Sequence, residues 1–520
     1  MKLEQRAAGV FLHLTSLPGP HGVGDFGPDA YRFVDWLHAA GQRLWQWLPT
    51  TPIGPGESPY QSPSAFAGSP LMVALEPLVQ RGWLAPPVLP APAFDARRVE
   101  FSRVVPWRDR QLRAACSGFN AHGSAADRAL HEAWCSAQAA WLDDYALFMA
   151  LSTAHAMRPW WQWSLPLRQR DPAELAAARE QHAQEIGFWR FVQWCWDEQC
   201  AALKRYANQR GVSLVGDVPI YVADNSADVW ARPDLYCLGV DGTPSVVAGV
   251  PPDPLGPHGQ RWGNPIYRWD RMAAEGFGWW TARLRRLLGQ ADIVRIDHFR
   301  GFAAYWEIPA ASPSARDGRW IPGPGRALFD AMGAALGALP IVAEDLGLIT
   351  PDVVALIEAC GFPRMKVLMF GFGSDRSNEY LPHNYAPDTI AYTSTHDTHT
   401  ARGWWDQASE AERAFAGAYL ACGASDLHWA MIRAVCNSVS RMAVYPLQDV
   451  LGLGSDQRMN TPGTLGGGNW SWRFDWPMLG SEPARVLALI AATSGRAPAS
   501  GVATRAPDAV LELGIPGETS

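Results

Sequence analysis

The stretch Arg295-Ile296-Asp297-His298-Phe299-Arg300-Gly301 follows an apolar run at residues 291–294. A short buried run that ends in charged residues is typical of a strand whose last positions reach a functional site. Arg295 and Asp297 are two positions apart, so on a strand both side chains point to the same face. A guanidinium beside a carboxylate lowers the pKa of that carboxylate, and we expect Asp297 to be ionised at neutral pH. The alternative is a purely structural ion pair at the end of a strand.

Two further blocks have the same form. Ala343-Glu344-Asp345-Leu346-Gly347 follows an apolar run at residues 339–342, and Thr395-His396-Asp397 follows one at residues 389–392. Because functional groups of barrel enzymes gather at the carboxyl ends of the strands, we expect the three carboxylates to lie together. Glycosyl transfer needs such a set. One carboxylate attacks carbon, one acid protonates the departing oxygen, and a third charge can stabilise a cationic transition state.

Glu344 is a better candidate for the acid than Asp345, because neighbouring residues point to opposite faces of a strand. A nearby negative charge or a drier setting would raise the pKa of Glu344 and suit it to proton transfer. The alternative is an ordinary solvated carboxylate. His396 and Asp397 could bind a metal, but apart from His399 the sequence offers no cluster of further ligands. We therefore expect hydrogen bonds to a sugar ring there, with no metal and no cofactor.

The rest of the chain repeats the pattern of strand, loop and helix. The predicted strands lie at residues 9–14, 44–48, 213–220, 292–297, 339–344, 365–370, 389–394 and 442–447. An amphipathic helix pattern at residues 29–40 joins the first two strands, as in a βαβ unit of a parallel sheet. Eight strands with chemistry at their carboxyl ends favour an α/β fold of the (β/α)8 TIM barrel type over a doubly wound sheet.

Two long segments interrupt this pattern. Residues 78–210 are rich in Ala, Trp, Arg and Glu, and predict a largely helical insertion. Residues 222–290 predict a loop-rich insertion whose loops cover the substrate. The catalytic barrel is expected to span residues 1–495, and the Gly-, Pro-, Ser- and Ala-rich residues 496–520 to form a flexible tail.

Composition narrows the range of partners and compartments. The chain has 520 residues, with 44 basic and 51 acidic side chains and a net charge of −7, which favours neither nucleic acid nor a membrane as partner. Its 26 Trp residues suit both core packing and stacking on sugar rings. The eight cysteines contain no Cys-x-x-Cys pair, which indicates free thiols in a reducing compartment. Since no signal-peptide core or run of about 20 apolar residues is present, we predict a cytoplasmic protein.

Three loops combine aromatic side chains with groups that bond to hydroxyls. They lie at residues 55–62, at 249–253 continuing to 259–265, and, more weakly, at 460–470. The candidate binding residues in them are Ser58, Tyr60, Gln61, Asp253, Gln260, Trp262, Asn264 and Asn469. Ordinary turn chemistry would explain the Pro and Gly of these loops, but not the aromatic rings beside amides.

Eight motifs carry a resemblance to a known family. They are His13-Leu14-Thr15-Ser16-Leu17-Pro18-Gly19, Ser58-Pro59-Tyr60-Gln61-Ser62, Gly216-Asp217-Val218-Pro219-Ile220, Gln260-Arg261-Trp262-Gly263-Asn264-Pro265, Asn460-Thr461-Pro462-Gly463-Thr464 and the three carboxylate blocks quoted above. Together they resemble the 4-α-glucanotransferases (amylomaltases or disproportionating enzymes) of glycoside hydrolase family seventy-seven in the α-amylase clan. The resemblance extends from about residue 9 to about residue 475.

This resemblance implies a role for each matching residue. Asp297 would be the nucleophile, Glu344 the acid/base and Asp397 the stabiliser of the transition state. Arg295 and His396 would hold the sugar ring at the cleavage point. The residues implied to line the glucan cleft are Tyr60, Asp217, Asp253, Trp262 and Asn469, with the loop at residues 249–264 arching over the substrate.

Five positions depart from the family pattern. Thr398-His399-Thr400 stands where the family often continues with Asn-Asp-Thr, and Arg364 stands where Gly is common. Gly373 occupies a position where many members carry Asp. Pro55 occupies a position where some members have a Tyr that helps to form a secondary glucan site.

The sequence thus predicts a retaining 4-α-glucanotransferase. It would move segments of α-1,4-glucans or maltooligosaccharides to the 4-hydroxyl of another glucan or of glucose, through a covalent bond to Asp297. A hydrolase that uses water as acceptor is the alternative within this class, and the carboxylates do not distinguish the two. The aromatic loops favour transfer, because water must be excluded while an intermediate waits. A non-catalytic glucan-binding protein would be expected to have lost at least one carboxylate.

Overall fold

The computed structural model describes residues 5–86, 93–252 and 258–498. The strands in this part of the chain are β1 (Ala7–Phe11), β2 (Leu44–Gln46), β3 (Ser213–Pro219), β4 (Val246–Val250), β5 (Gln260–Pro265), β6 (Ile293–Asp297), β7 (Ala304–Pro309), β8 (Arg319–Pro322), β9 (Ile341–Ala343), β10 (Arg364–Val367), β11 (Thr389–Tyr392) and β12 (Met442–Pro446). Asp253, one of the predicted binding residues, lies outside the described residues.

The α-helices in the same part of the chain follow in order. They are α1 (Pro28–Ala39), α2 (Glu76–Gln80), α3 (Phe101–His122), α4 (Ala125–Ala154), α5 (Leu165–Arg168), α6 (Pro172–Gln181), α7 (Ala183–Gln209), α8 (Ala227–Ala231), α9 (Trp269–Ala274), α10 (Gly278–Gln290), α11 (Arg326–Leu336), α12 (Pro351–Cys360), α13 (Ala401–Gln407), α14 (Glu410–Leu420), α15 (Leu427–Asn437), α16 (Leu447–Val450), α17 (Trp476–Leu479) and α18 (Glu482–Thr493). No helix among them combines the length and the apolar character needed to cross a bilayer.

Eight strands close into a parallel barrel. Their order around the barrel is β1-β12-β11-β10-β9-β6-β3-β2, so the first and last strands of the described part of the chain pair and complete the ring. All eight predicted strands belong to this barrel, which confirms the TIM-barrel prediction and rules out the doubly wound sheet. The strands carry nearly continuous apolar burial, as expected of parallel strands that are covered by helices on one side and filled by side chains on the other.

Close strand contacts require a glycine at one point of the barrel. A Cβ atom at Gly9 of β1 would lie 2.3 Å from the backbone oxygen of Leu44 on β2. No real side chain tolerates that distance, so the pairing of these two strands at this register depends on the missing side chain. Gly9 thus fixes the position of β2 and of the loop at residues 47–69 that follows it.

Long helices occupy most of residues 101–209. α4 begins at a capping box, in which Ser124 accepts the N–H of Asp127 and Asp127 accepts the N–H of Ser124. α4 packs along α7, whose Trp194 and Trp196 are buried in the common core. Several Trp side chains are therefore part of the hydrophobic core, which is one of the two roles that the sequence analysis considered for them.

A second sheet, which the sequence analysis did not predict, stands beside the barrel. Its four antiparallel strands are ordered β5-β4-β7-β8, and β4 pairs with both β5 and β7. β5 contains Gly263 and ends at Pro265, so its sequence resembles a loop more than a strand. The pairing with β4 supplies the hydrogen bonds that residue preferences alone do not indicate. This sheet rather than a free loop carries Gln260, Trp262 and Asn264.

The amino ends of the barrel strands are held by a buried arginine. Arg496 is fully buried and donates hydrogen bonds to the backbone oxygens of Ala7, Cys436, Arg441 and Ser440 at 2.6–3.0 Å. Arg496 therefore packs against the barrel, whereas the sequence analysis made residue 496 the first of a flexible tail. All eight cysteines are free thiols, as predicted.

Candidate active site at the carboxyl ends of the barrel strands

Four barrel strands deliver the predicted polar residues to one end of the barrel. Asp217 lies on β3, and Arg295 and Asp297 lie on β6. Glu344 directly follows β9, and Asp397 lies in the loop after β11. In the register of β3 against β6, Asp217 is the partner of Arg295. Strand pairing thus places the Asp217 carboxylate beside the Arg295 guanidinium.

Arg295 joins two carboxylates. Its Nη1 donates to both oxygens of Asp217 at 2.8 Å, and its Nη2 lies 3.0 Å from Oδ1 of Asp297. The Arg295 residue is only 4% exposed, so these bonds are screened little by water. The charge-assisted bonds to Asp217 fix the position and orientation of the guanidinium, which forms an ion pair with one oxygen of Asp297.

The pKa of Asp297 lies above the usual range, contrary to the sequence prediction of a lowered pKa. Burial raises it most, Arg295 lowers it, and the negative charges of Asp217 and Asp397 raise it again, to about 6. The prediction was wrong in direction because it considered the nearest cation and not the burial of the site. At neutral pH the ionised form still predominates, since the pKa is below 7.

Glu344 is held by two backbone N–H groups. Its Oε2 accepts from His298 and its Oε1 accepts from Leu346, each at 2.7 Å. His298 adopts a left-handed backbone conformation with φ of 54°, which is uncommon for a residue with a side chain. Burial and then the charge of Asp297 raise the pKa of Glu344 to about 7, against the lowering by Arg295 and the two N–H groups. The upward direction agrees with the prediction made from the sequence.

Asp397 has a different electrostatic setting. Its Oδ2 lies 3.2 Å from Nε2 of His396, and its Oδ1 accepts a hydrogen bond from Nδ2 of Asn460 at 2.6 Å. Burial alone would raise the pKa of Asp397, but His396 and the hydrogen bond from Asn460 bring it down to about 2. Burial disfavours the charged form of His396, yet Asp397 outweighs burial and raises the pKa of the imidazole. Asp397 is therefore an anion at ordinary pH values, and the neighbouring His396 is protonated more readily than a free imidazole.

Tyr60 connects the two groups of charges. Its hydroxyl donates to Oδ2 of Asp217 at 2.8 Å and lies 3.1 Å from Nε2 of His396. Its ring stacks on the His396 ring, with 5.6 Å between centroids and 10° between planes, and Trp470 lies 5.7 Å away. Oγ of Ser58 accepts the N–H of Tyr60 at 3.2 Å, so Ser58 shapes the turn that presents Tyr60.

The remaining candidates form the rim of the site. The Trp262 indole meets the His298 ring edge-on, with 4.8 Å between centroids, and its Nε1 donates to Oε1 of Gln260 at 3.0 Å. Nε2 of Gln61 donates to Oδ1 of Asn264 at 3.1 Å, so the first loop and β5 are tied together. Trp262 therefore reaches the segment whose backbone holds Glu344.

Asn469 has a structural setting within its own loop. Its Oδ1 accepts the N–H of Thr461 at 3.0 Å, and its Nδ2 donates to Oγ1 of Thr464 at 3.0 Å. These bonds fold the loop and turn the following residue, Trp470, toward Tyr60 and His396. The structure thus brings Trp470 to the site, the last residue of the third predicted loop and one that the sequence analysis did not select as a binding residue.

Two further residues support Asp397. Asn460 bonds to its carboxylate, and Nη2 of Arg458 donates to its backbone oxygen at 2.5 Å. Asn460 belongs to a motif that the sequence analysis recognised in the loop after β12. That motif was the signal from which its contact with the catalytic loop could have been predicted. Nothing local in the sequence marks Arg458.

Two of the departures from the family pattern have partners. Arg364 donates through Nε to Oδ2 of Asp345 at 2.6 Å, so Asp345 faces away from the site and is paired. Nδ1 of His399 lies 2.7 Å from Oγ of Ser455, which fixes the loop after Asp397.

A possible metal cluster lies elsewhere. Among the described residues, His21, Asp25 and Glu76 form a group whose ligand atoms are within 4.8 Å of one another, with no such group at His396 and Asp397. Nη1 of Arg108 already pairs with Asp25 at 2.9 Å. The guanidinium of Arg108 therefore already compensates part of the negative charge of this group.

The fold and the site define the class of protein. The fold is a closed parallel barrel, and its strand ends bring together carboxylates of unlike pKa, an arginine and a histidine. This arrangement is the framework of a TIM-barrel enzyme. The family model described as 4-alpha-glucanotransferase, glycoside hydrolase family 77, matches residues 12–478. The chain belongs to this 4-α-glucanotransferase family, which confirms the resemblance stated from the motifs.

Individual relatives agree with this assignment. The chain is 47% identical over 497 residues to a 4-alpha-glucanotransferase of Thermus thermophilus, covering 94% of this chain and 99% of that protein. It is 44% identical over 499 residues to one from Synechocystis, covering 95% and 99%. A structure of amylomaltase from Streptococcus agalactiae in complex with acarbose aligns with a TM-score of 0.92 at 35% identity, covering 95% of this chain and all of that one.

Proposed function

We propose that this enzyme is a retaining 4-α-glucanotransferase that disproportionates maltooligosaccharides. It moves a segment of an α-1,4-glucan from a donor to the 4-hydroxyl of an acceptor glucan or of glucose. The observation that carries the proposal is the pair Asp297 and Glu344, a half-buried and a buried carboxyl at the ends of adjacent strands, with unlike partners and pKa values of about 6 and about 7. A nucleophile that is mostly ionised and an acid that is substantially protonated are what the first step needs.

In the first step, a carboxylate oxygen of Asp297 attacks the anomeric carbon at the cleavage point. The bond between that carbon and the bridging oxygen breaks, and Glu344 gives its proton to the departing 4-oxygen. The donor's reducing-end fragment leaves as a neutral sugar, and the other fragment stays as a glycosyl ester of Asp297. The Arg295 guanidinium lies 3.0 Å from Asp297 in an ion pair and also compensates the negative charge of Asp217.

In the second step, the ionised Glu344 takes the proton from the 4-hydroxyl of the acceptor. The acceptor oxygen attacks the same anomeric carbon and releases Asp297 as a carboxylate. Two inversions at that carbon retain its configuration. Glu344 ends the cycle protonated, as it began, so no external proton donor or cofactor enters the balance.

Asp397 and His396 serve the sugar ring rather than the proton transfers. Because its pKa is about 2, Asp397 stays negative and stabilises the positive charge that develops on the ring in both transition states. His396 lies beside Asp397, and the Tyr60 hydroxyl lies 3.1 Å from its Nε2, so both side chains belong to the group that would surround the ring.

Transfer rather than hydrolysis is favoured by the rim. A hydrogen bond between Gln61 and Asn264 links β5 to the loop at residues 55–62, and Trp262 on the same strand contacts His298. An acceptor sugar bound beside this rim would replace water. A hydrolase would use the same carboxylates with water in the second step. Incubation with maltotriose distinguishes them: a ladder of shorter and longer maltooligosaccharides is expected, and glucose with maltose alone would contradict transfer.

A further inference from the structure

Arg300 is a buried cation that the mechanism above does not use. It lies in the turn that follows β6, and only 5% of its surface is exposed. Within the described part of the chain it forms no ion pair, and burial lowers the pKa of its guanidinium against the opposing charge of Asp352. Because a cation buried without a charged partner costs free energy, we expect the contacts that Arg300 does make to serve a purpose.

The guanidinium of Arg300 joins two parts of the molecule. Its Nη1 donates a hydrogen bond to the backbone oxygen of Leu348, in the loop after β9. Its central carbon lies 3.8 Å from the ring centroid of Trp320, which belongs to β8 of the second sheet. A planar guanidinium can stack on an indole while it donates in its own plane, a geometry that a lysine ammonium does not share. Arg300 therefore links the loop after β9 to the sheet that carries Trp262.

Leu348 belongs to the segment that holds the acid/base. The Glu344 carboxylate accepts the N–H of His298 and the N–H of Leu346, each at 2.7 Å. His298 lies two positions before Arg300, and Leu346 lies two positions before Leu348. The bond from Arg300 to Leu348 therefore connects the same two segments that supply the two N–H groups.

A backbone bond joins these two segments nearer to β9. The N–H of Phe299 donates to the backbone oxygen of Glu344 at 3.0 Å. The loop is thus tied at Glu344 by this bond and at Leu348 by Arg300, and the N–H of Leu346 lies between the two ties. Loss of the Arg300 bond would leave the far end of the loop free to move.

We propose that Arg300 is a positioning residue for Glu344. By clamping the loop after β9, it keeps the N–H groups of His298 and Leu346 aimed at the Glu344 carboxylate. The inference rests on the proposed function, which gives Glu344 both proton transfers. Hydrogen bonds from the two N–H groups favour the ionised carboxylate and lower its pKa. A looser loop would therefore leave Glu344 misplaced and with a higher pKa, so that it gives up its proton less readily.

The test compares two donors in the full chain with Arg300→Met, which removes the hydrogen-bond donor and retains a long side chain. With maltotriose, kcat is expected to fall about tenfold, the order for one lost hydrogen bond. The first step with an α-glucosyl fluoride, followed as the burst of fluoride release, needs no acid. That burst should stay within about twofold of the wild-type rate.

The pH profile gives a second measurement. A higher pKa of Glu344 should move the alkaline limb of kcat/KM for maltotriose to higher pH by about half a unit. Arg300→Lys, which retains a donor, should recover part of kcat and of the shift. Arg319→Met is the matched control and should change neither, because Arg319 is an exposed residue of β8 that pairs with Glu307.

Equal losses with the two donors, or an alkaline limb that does not move, would overturn the clamp and leave Arg300 as a packing residue of the second sheet. Melting curves establish that Arg300→Met is folded. If it does not fold, the same comparison in Arg300→Lys decides, again with a selective loss on maltotriose expected.

Glu344→Gln separates this proposal from the proposed function. A selective loss on maltotriose in Glu344→Gln but not in Arg300→Met would reject the clamp alone. Equal losses with both donors in Glu344→Gln, or no product ladder from the wild type, would instead reject the proposed function.

Discussion

Arg295 and Arg496 are both buried, one at each end of the barrel, and they have opposite kinds of partner. Arg295 faces the carboxylates of Asp217 and Asp297, which raise the pKa of its guanidinium well above its usual range against the effect of burial. Arg496 donates its hydrogen bonds to backbone oxygens, and burial is the main cause that lowers its pKa to about 10. At the carboxyl end of the barrel, Arg295 is thus coupled to carboxylates whose protonation can change. At the amino end, the charge of Arg496 is stabilised by the fixed dipoles of backbone carbonyl groups.

The difference teaches where change is tolerated. At the carboxyl ends of the strands, a substitution alters the charge balance on which neighbouring pKa values depend. At the amino ends, a substitution leaves backbone oxygens without a donor and lowers stability. Chemistry and stability can therefore be altered separately, and the predictions below test that separation.

The largest expected effect is on Asp297. Asp297→Asn should reduce turnover of maltotriose by about 10⁴-fold or more, because the covalent step is lost. The melting temperature should not fall, since the substitution removes a half-buried carboxylate whose pKa is raised in the folded enzyme. Asp330→Asn, at an exposed ion pair of α11, is the control and should retain full activity. An Asp297→Asn enzyme with a tenth of normal activity would show that another group is the nucleophile.

Glu344→Gln should separate the acid from the nucleophile. Without a proton donor, turnover of maltotriose is expected to fall by about 10²–10⁴-fold. Reaction with an α-glucosyl fluoride should be affected much less in its first step, because fluoride leaves without a proton. Mass spectrometry should then detect a glucosyl adduct on Asp297. Equal losses with both donors would mean that Glu344 is not the acid.

Arg496→Met tests the other end of the barrel. It removes charge-assisted bonds to several backbone oxygens, and we expect the free energy of unfolding to fall by about 3 kcal/mol or more. Activity per folded molecule below the melting temperature should remain near that of the wild type. A specific loss of kcat in fully folded enzyme would show that the two ends of the barrel are coupled.

The pH dependence of kcat/KM follows from the two carboxyls. Asp297 must be ionised, so the rate should fall as pH drops through about 6, and Glu344 must be protonated, so it should fall as pH rises through about 7. The expected profile is a narrow bell between these values, whose limbs belong to the coupled pair. In Glu344→Gln with a glucosyl fluoride, the alkaline limb should disappear. A profile that remains flat well above pH 8 would contradict the raised pKa of Glu344.

Trp262→Ala should give the smallest effect. Loss of the indole is expected to weaken glucan binding by about 1–3 kcal/mol, the order for removal of a large aromatic contact. If the indole covers the acceptor side, the ratio of glucose released to segments transferred should also rise. A lower melting temperature with an unchanged ratio would mean that Trp262 only packs β5 beside the barrel.

The sequence predicted the barrel well because its strands are marked locally. The run before Arg295 is short and apolar, and charged residues follow it. The structure places β6 at this point of the chain. β5 was missed because its Gly and Pro resemble a loop, and its hydrogen bonds come from β4, which no local pattern announces. The raised pKa of Asp297 was missed for a similar reason: burial is a property of the folded site. Asn460 lies 63 residues from Asp397, so only the fold brings them into contact.

The pairing of β1 with β12 also has a consequence during synthesis. Met442, the partner of Ala7, lies 435 positions further along the chain, so the ring stays open until most of the protein has been made. At about 5–20 residues per second, that interval is roughly 20–90 s. Throughout it, β1 has an unpaired edge that can associate with other nascent chains. Shielding of this edge by a chaperone, rather than stability of the finished ring, should limit the yield of folded enzyme at high expression.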